Sequence, residues 1–290
     1  MRNKILRLFG SFSLALFIIV CTTGCITGKS CSSYYPQYMV PTVSGPFNYD
    51  AFAQVRVTIT MDPTDCFDAI AGISCKEFAE SLPEMSVVST GSGSVVAHEN
   101  GKTYILTAAH VCWVEPYETV SRGGMLLEIQ QTSEISLIHN SGEVVQAEVF
   151  YVDEERDVCL MSTQGTWGSS LPVAANDPVR GQKYYNMAAP YGIFSPGMVL
   201  SFDGYYSGHD SQWYYYTLPA RPGSSGSPVL NAHGEVVGVV TMASTVFETL
   251  AIVTTPDSVR DAIQSIEMDS SYSEDTGERR VLFRSTPATD

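Results

Sequence analysis

The hexapeptide Gly223-Ser224-Ser225-Gly226-Ser227-Pro228 runs straight into the apolar residues Val229-Leu230. His233-Gly234 then reads as a tight turn, and Val236–Met242 as a second apolar run. Glycines on both sides of Ser225 suit a sharp turn, since glycine alone enters left-handed backbone without steric cost. Upstream, Leu106-Thr107-Ala108-Ala109-His110-Val111-Cys112 closes one β-like run, and Asp157-Val158-Cys159-Leu160 follows an acidic turn. Each motif alone has an ordinary reading. The hexapeptide is a turn, His110 a satisfied core histidine, and Asp157 a solvated turn residue with Asp153 as a nearby rival. In the order His, Asp, Ser they also supply a base, an orienting carboxylate and a hydroxyl nucleophile.

The runs around these motifs are short, rich in Val, Ile, Thr and Tyr, and bounded by Gly, Pro, Asn and Asp. They are Gln54–Thr60, Gly93–His98, Thr103–Thr107, Val144–Val152, Tyr184–Ala188, Met198–Phe202, Gln212–Leu218, Pro228–Leu230, Val236–Met242 and Leu250–Thr254. Such spacing argues an all-β sandwich or barrel. Asn100-Gly101 between two of them is a hairpin signal. Pro256–Ile266 is the one clear helix: Thr255 suits its cap, Pro256 its first turn, and Val259, Ile263 and Ile266 one apolar face. Residues 25–50, rich in Ser, Tyr and Pro, read as a tether, 51–266 as the folded domain, and 267–290 as a polar tail.

Of the 290 residues, 44% are hydrophobic and only 16% charged, and the formal net charge is −15. That balance excludes a broad basic face, so no nucleic-acid partner is expected. His98, His139, His209 and His233 show no ligand spacing with one another or with a cysteine pair, so no metal and no cofactor are expected either. Arg2, Lys4 and Arg7 precede the apolar stretch Leu8–Val20, the pattern of an export signal over residues 1–24. Thr22-Thr23-Gly24-Cys25 resembles the lipobox of bacterial lipoproteins, with Thr22 in place of the usual Leu. The resemblance makes Cys25 a lipidation site and the membrane a partner; a soluble secreted protein cut near Gly24 is the alternative. Seven cysteines are present. Cys66 and Cys75 are placed to staple a loop, and Cys112 paired with Cys159 would tie the His110 and Asp157 segments together. Buried free thiols suit the same positions, and spacing does not decide between them.

The three motifs resemble the chymotrypsin-like, or trypsin-like, serine proteases, and so do their neighbours. Gly91–Val96 before Tyr104–Thr107 looks like the strand pair leading to the catalytic histidine. Ala189-Pro190-Tyr191-Gly192, followed by Gly197–Ser201, looks like the second barrel of the high-temperature-requirement and glutamyl-endopeptidase branches. Val237–Thr241 resembles the strand after the nucleophile. The resemblance spans about Asn48 to Ile266. It implies two antiparallel six-stranded β-barrels with a short C-terminal helix. His110 and Asp157 would come from the first barrel and Ser225 from the second.

It further implies a serine endopeptidase acting on protein or peptide substrates through an acyl-enzyme. Ser225 would be nucleophile, His110 base then acid, and Asp157 orienter. The amides of Gly223 and Ser225 would form the oxyanion hole, and Thr241 would brace the carboxylate by its hydroxyl. Pro219, Ala220, Thr241, Met242 and Ala243 would line the pocket for the residue before the scissile bond. Pro219 stands where trypsin-type members carry an acid and Met242 where the glutamate-specific branch carries a His. The expected preference is therefore for small or medium apolar residues, unless Arg221 swings in and favours an acid. The chain ends about 65 residues after Ser225, too few for the PDZ domain of high-temperature-requirement proteases. A catalytically silent member serving as a binding or adhesion module at the cell surface is the alternative.

Overall fold

A computed structural model describes residues 45–67, 82–122, 125–244, 246–247, 249–272 and 282–283. The signal segment 1–24, Cys25, Cys75, residues 25–44 of the expected tether and most of the polar tail lie outside them.

The first barrel uses β1 (Phe52–Phe67), β2 (Met85–Glu99), β3 (Lys102–Thr107), β5 (Met125–His139), β6 (Val144–Asp153) and β7 (Val158–Gln164), while β4 (Tyr117–Arg122) pairs outside β5. Its antiparallel ring runs β1-β2-β3-β7-β6-β5 and returns to β1. The second barrel is β8 (Lys183–Ala188), β9 (Leu200–His209), β10 (Tyr214–Tyr216), β11 (Pro228–Leu230), β12 (Val236–Ala243) and β13 (Ala251–Val253), closed in the order β8-β9-β10-β13-β12-β11. A two-residue strand, β14 (Leu282–Phe283), adds parallel to β6. The helices are α1 (Ala109–Cys112), directly after β3, and α2 (Pro256–Tyr272). The all-β reading with two six-stranded barrels and a C-terminal helix thus holds.

Local chemistry explains the joints. Asn100 and Gly101 both take positive φ, 51° and 73°, the mirror-image turn that matches strand twist between β2 and β3. The Thr255 hydroxyl accepts the Ser258 amide at 3.2 Å and so caps α2. Val259, Ala262 and Ile266 bury that helix against the core. The first barrel is filled with aliphatics such as Val55, Ile105, Leu137, Leu160 and Met161. The second adds a cluster of tyrosines to aliphatics such as Leu218, Val229, Val237, Val240 and Val253. Tyr216 meets Tyr184 edge-on at 5.3 Å and Tyr206 at 5.0 Å, and Tyr206 stacks on Tyr214 at 5.4 Å. Burial pushes the Tyr206 phenol up to about 12 and raises that of Tyr216 as well, so both stay neutral.

Three boundaries differ from the sequence reading. Residues 45–50 are not tether. Phe47 packs on the core and edge-on to Tyr185, Asn48 and Ser169 exchange side-chain hydrogen bonds, and the Asp50 carbonyl accepts His139 Nε2–H at 2.7 Å. Helix α2 runs on through Tyr272 rather than stopping at Ile266. Strand β5 was not among the apolar runs because its middle, Gln130–Glu134, is mostly exposed and polar. Past Met61, where its pairing with β2 ends at Met85, β1 stays paired with β5 as far as Phe67 with Leu126, and β4 pairs along the other side of β5.

Among the described residues the Tyr216 hydroxyl is buried without a hydrogen-bond partner. Tyr216→Phe removes that unpaired group and keeps the ring, so thermal unfolding should show unchanged or slightly raised stability. A loss above about 2 kcal/mol would mean that the hydroxyl contributes a bond of its own.

Candidate active site

His110 lies on α1 and Asp157 in the four-residue connection between β6 and β7. His110 Nδ1 is 2.9 Å from Asp157 Oδ2 and 3.0 Å from Oδ1, and the His110 backbone N–H donates to Oδ1 at 3.0 Å. A carboxylate only accepts, so Nδ1 carries the proton and Nε2 of the neutral ring is left as an acceptor. The imidazole is half exposed and the Asp157 side chain largely covered. Asp157 holds φ 52°, a left-handed conformation that Asp tolerates better than most residues. Its rival, Asp153, is elsewhere engaged: its buried carboxylate accepts Arg156 Nε–H at 2.7 Å and the Arg156 amide at 3.0 Å. Beside that pair the Tyr151 phenol is pushed up, first by burial and then by Asp153, with Arg156 opposing. A disulfide joins Cys112 to Cys159, 47 residues apart. It ties α1, two residues past His110, to β7, two residues past Asp157.

Ser225 sits in the turn before β11. Gly223 and Gly226 take φ 91° and 86°, and both are also pressed from outside. A Cβ on Gly226 would overlap the Ser92 carbonyl and the Thr107 hydroxyl; one on Gly223 would meet the Ala189 carbonyl at 2.6 Å. The turn is pinned from several sides. Ser92 N–H donates to the Ser225 carbonyl at 2.8 Å, Ser92 Oγ donates to the Gly223 carbonyl at 2.8 Å, and the Tyr191 amide donates to the Pro222 carbonyl at 2.6 Å. The amides of Ser224, Gly226 and Ser227 go to the carbonyls of Arg221, Val240 and Ser224. Among the described residues, the amides of Gly223 and Ser225 have no acceptor. The Pro222–Gly223 peptide is trans, so fixing the Pro222 carbonyl on Tyr191 turns the Gly223 N–H the opposite way.

The Ser225 hydroxyl donates to the Thr241 carbonyl at 3.2 Å, not to His110. The Thr241 hydroxyl does not brace Asp157 as expected; it donates to the Ile252 carbonyl at 3.2 Å. The cause is local, since the β12–β13 register shifts between Val240 and Met242, and a bulge re-aims the side chain there. Ala220 and Thr241 are buried, Pro219 and Ala243 partly so, and Met242 is exposed. Arg221 Nη1 lies 3.4 Å from the Ala220 carbonyl. Ser92, whose amide, hydroxyl and carbonyl all serve this turn or Thr107, was not singled out by sequence reading. Its only signal was its place in Gly91-Ser92-Gly93.

The trypsin-like peptidase domain family matches residues 91–239, half of the chain. The chain belongs to this family. Two curated relatives are similar over part of their length. One is an uncharacterized protein, y4bJ, of Sinorhizobium fredii, 24% identical over 179 residues, which are 59% of this chain and 25% of that one. The other is a serine protease Do-like HtrA of Lactobacillus helveticus, 24% identical over 189 residues, covering 61% and 41%. The aligned part is thus well under half of either relative. Among solved structures, the HtrA-type protease AlgW with tripeptide shares the fold with a TM-score of 0.51 at 16% identity, over 75% of this chain and 60% of that one.

In this trypsin-like peptidase domain Gly226 meets two constraints at once, positive φ and a crowded Cβ position. Gly226→Ala should destabilise the chain by more than about 2 kcal/mol, left-handed backbone alone costing about 1–2. Gly181 supplies the control: its φ is 81°, with no atom within 4 Å of the Cβ position. Gly181→Ala should cost only the backbone share, and equal losses in denaturant titrations of the two variants would refute the packing argument.

Proposed function

We propose that this chain is a serine endopeptidase with Ser225 as nucleophile. The observation that carries the reading is the His110–Asp157 pair, whose three hydrogen bonds leave Nε2 as the acceptor. The reading requires the Ser225 hydroxyl to leave the Thr241 carbonyl for Nε2 when substrate binds, catalytic hydrogen bonds often being made only in the substrate complex. His110 takes the Ser225 proton as Oγ bonds to the substrate carbonyl carbon. The oxyanion is met by the two unspent amides of Gly223 and Ser225. His110 then passes the proton to the leaving amine, the C–N bond breaks, and an acyl-enzyme remains. Water, deprotonated by the same imidazole, releases the acid and restores Ser225. Asp157 holds the tautomer and stabilises the imidazolium throughout.

Substrate preference follows from Pro219, Ala220, Thr241, Met242 and Ala243, which offer no acid to partner a basic side chain. Small or medium apolar residues before the scissile bond fit best, and that choice is worth only about 1–3 kcal/mol per methylene. A fluorophosphonate probe should label the wild-type chain and leave Ser225→Ala unlabelled. Asp157→Asn should slow turnover by about 10⁴-fold, the cost of the wrong imidazole tautomer in a related triad. A wild type that the probe does not label would favour the silent binding module, which is the reading that the Ser225–Thr241 hydrogen bond supports. A peptide-library profile dominated by Lys, Arg or Glu would refute the apolar preference.

The basic and apolar N-terminal residues followed by Gly24-Cys25 support export and attachment to a bacterial membrane through lipid on Cys25. Cys25→Ser should abolish palmitate labelling and move the protein out of the membrane fraction. Unchanged labelling and fractionation would sink the anchor.

A further inference from the structure

Arg156 immediately precedes Asp157 in the connection between β6 and β7. Its Nε donates to Asp153 Oδ2 at 2.7 Å, its backbone N–H to Asp153 Oδ1 at 3.0 Å, and its Nη1 to Asp261 Oδ2 at 2.9 Å. Asp153 is the last residue of β6 and is buried. Asp261 lies on α2, 105 residues further along the chain. Val259, Ala262 and Ile266 of that helix share one core with Val158 and Leu160 of β7. One guanidinium therefore spans three things: the strand that enters the turn, the turn itself, and a helix anchored in the core. Asp157 occupies left-handed backbone there, a conformation that persists only when its surroundings hold it.

We propose that Arg156 is a positioning residue. By gripping Asp153 and Asp261 it makes α2 the outer brace of the Asp157 carboxylate, so that both carboxylate oxygens stay on His110. The inference rests on reading His110 and Asp157 as base and orienter. The planar fork of arginine matters, because it presents separate donors to two carboxylates in fixed directions, which a lysine ammonium on a flexible stem does not do.

Arg156→Met strands the buried Asp153 carboxylate and risks unfolding the hairpin. The informative variants are therefore Asp261→Ala, which keeps the Arg156–Asp153 pair, and Arg156→Lys, which keeps the charge. Each is made in the full chain and checked for folding by thermal denaturation. Two readouts follow: kcat and KM on a chromogenic peptide, and the His110 Nδ1–H proton resonance, assigned by its loss in His110→Gln. Asp261→Ala should lower kcat by about 10- to 100-fold with KM within twofold, the scale on which a small misplacement of a catalytic group acts. Its Nδ1–H resonance should broaden through exchange with water, and Arg156→Lys should show both effects. Folded variants with wild-type kcat and a sharp resonance would overturn the proposal, as would a kcat loss with an unchanged resonance. If the wild type cleaves nothing but the resonance still broadens in the variants, the brace stands and the peptidase reading falls.

Discussion

Ser92 is the seam on which the site depends. It sits fully buried on β2 of the first barrel, and its amide and hydroxyl are spent on the junction with the second. The amide holds the Ser225 carbonyl, the hydroxyl donates to the Gly223 carbonyl, and the same hydroxyl accepts the Ala189 amide at 3.0 Å. Its carbonyl takes the Thr107 hydroxyl at 2.8 Å, and Thr107 ends the strand that leads into α1 and His110. One residue thus fixes the Ser225 turn and the approach to His110 against each other. None of these bonds is individually large, a net 0.5–1.5 kcal/mol being ordinary. Their effect is geometric, because buried polar groups that are fully satisfied leave the turn no other arrangement to adopt.

The two halves of the site are held by different means. On the first barrel, three hydrogen bonds join His110 to Asp157, a disulfide ties their segments together, and Arg156 beside Asp157 is ion-paired to Asp153 and Asp261. The left-handed backbone of Asp157 costs about 1–2 kcal/mol, and these ties offset it. On the second barrel the Ser225 turn is held by the amides of Ser224, Gly226 and Ser227 on the carbonyls of Arg221, Val240 and Ser224. Glycine conformations and backbone hydrogen bonds carry it, with Ser92 as their outside partner.

How much of this was legible in the sequence follows from what each residue reports locally. Asn100-Gly101, Thr255-Pro256 and the glycines around Ser225 name their own backbone conformations, and each is found as read. The all-β class was legible because apolar runs of strand length recur between turn residues, whereas two barrels rather than a sandwich came from the resemblance. Strand β5 was not legible, because the mostly exposed polar residues 130–134 separate its two short alternating stretches, one with Leu127 and Ile129 buried and the other with Ile135 and Leu137 buried. The tether boundary was missed for a related reason: Ser-, Tyr- and Pro-rich composition marks a linker only until one aromatic, Phe47, finds a core. The pairing of Cys112 with Cys159 needed the fold, since it links segments that only β3–β7 pairing brings together. Asp157 could be preferred over Asp153 by its Val-Cys-Leu neighbours, but the fate of Asp153 depended on Arg156 and hence on α2.

The Thr241 carbonyl shows why side-chain roles travel less well between relatives than backbone ones. A threonine at this position was expected to act by its hydroxyl. The bulge between Val240 and Met242 instead turns that hydroxyl to β13 and leaves the carbonyl facing the Ser225 hydroxyl. A backbone carbonyl is present whatever residue the position holds, so that contact survives substitution, whereas a hydroxyl contact depends on both residue and bulge. The same reasoning separates the two parts of the site. The Ser225 turn is written in backbone, and the glycines on either side of Ser225 mark it as a sharp turn in the sequence. The support of Asp157 is written in side chains, Arg156, Asp153 and Asp261, and becomes visible only once three distant segments are in place.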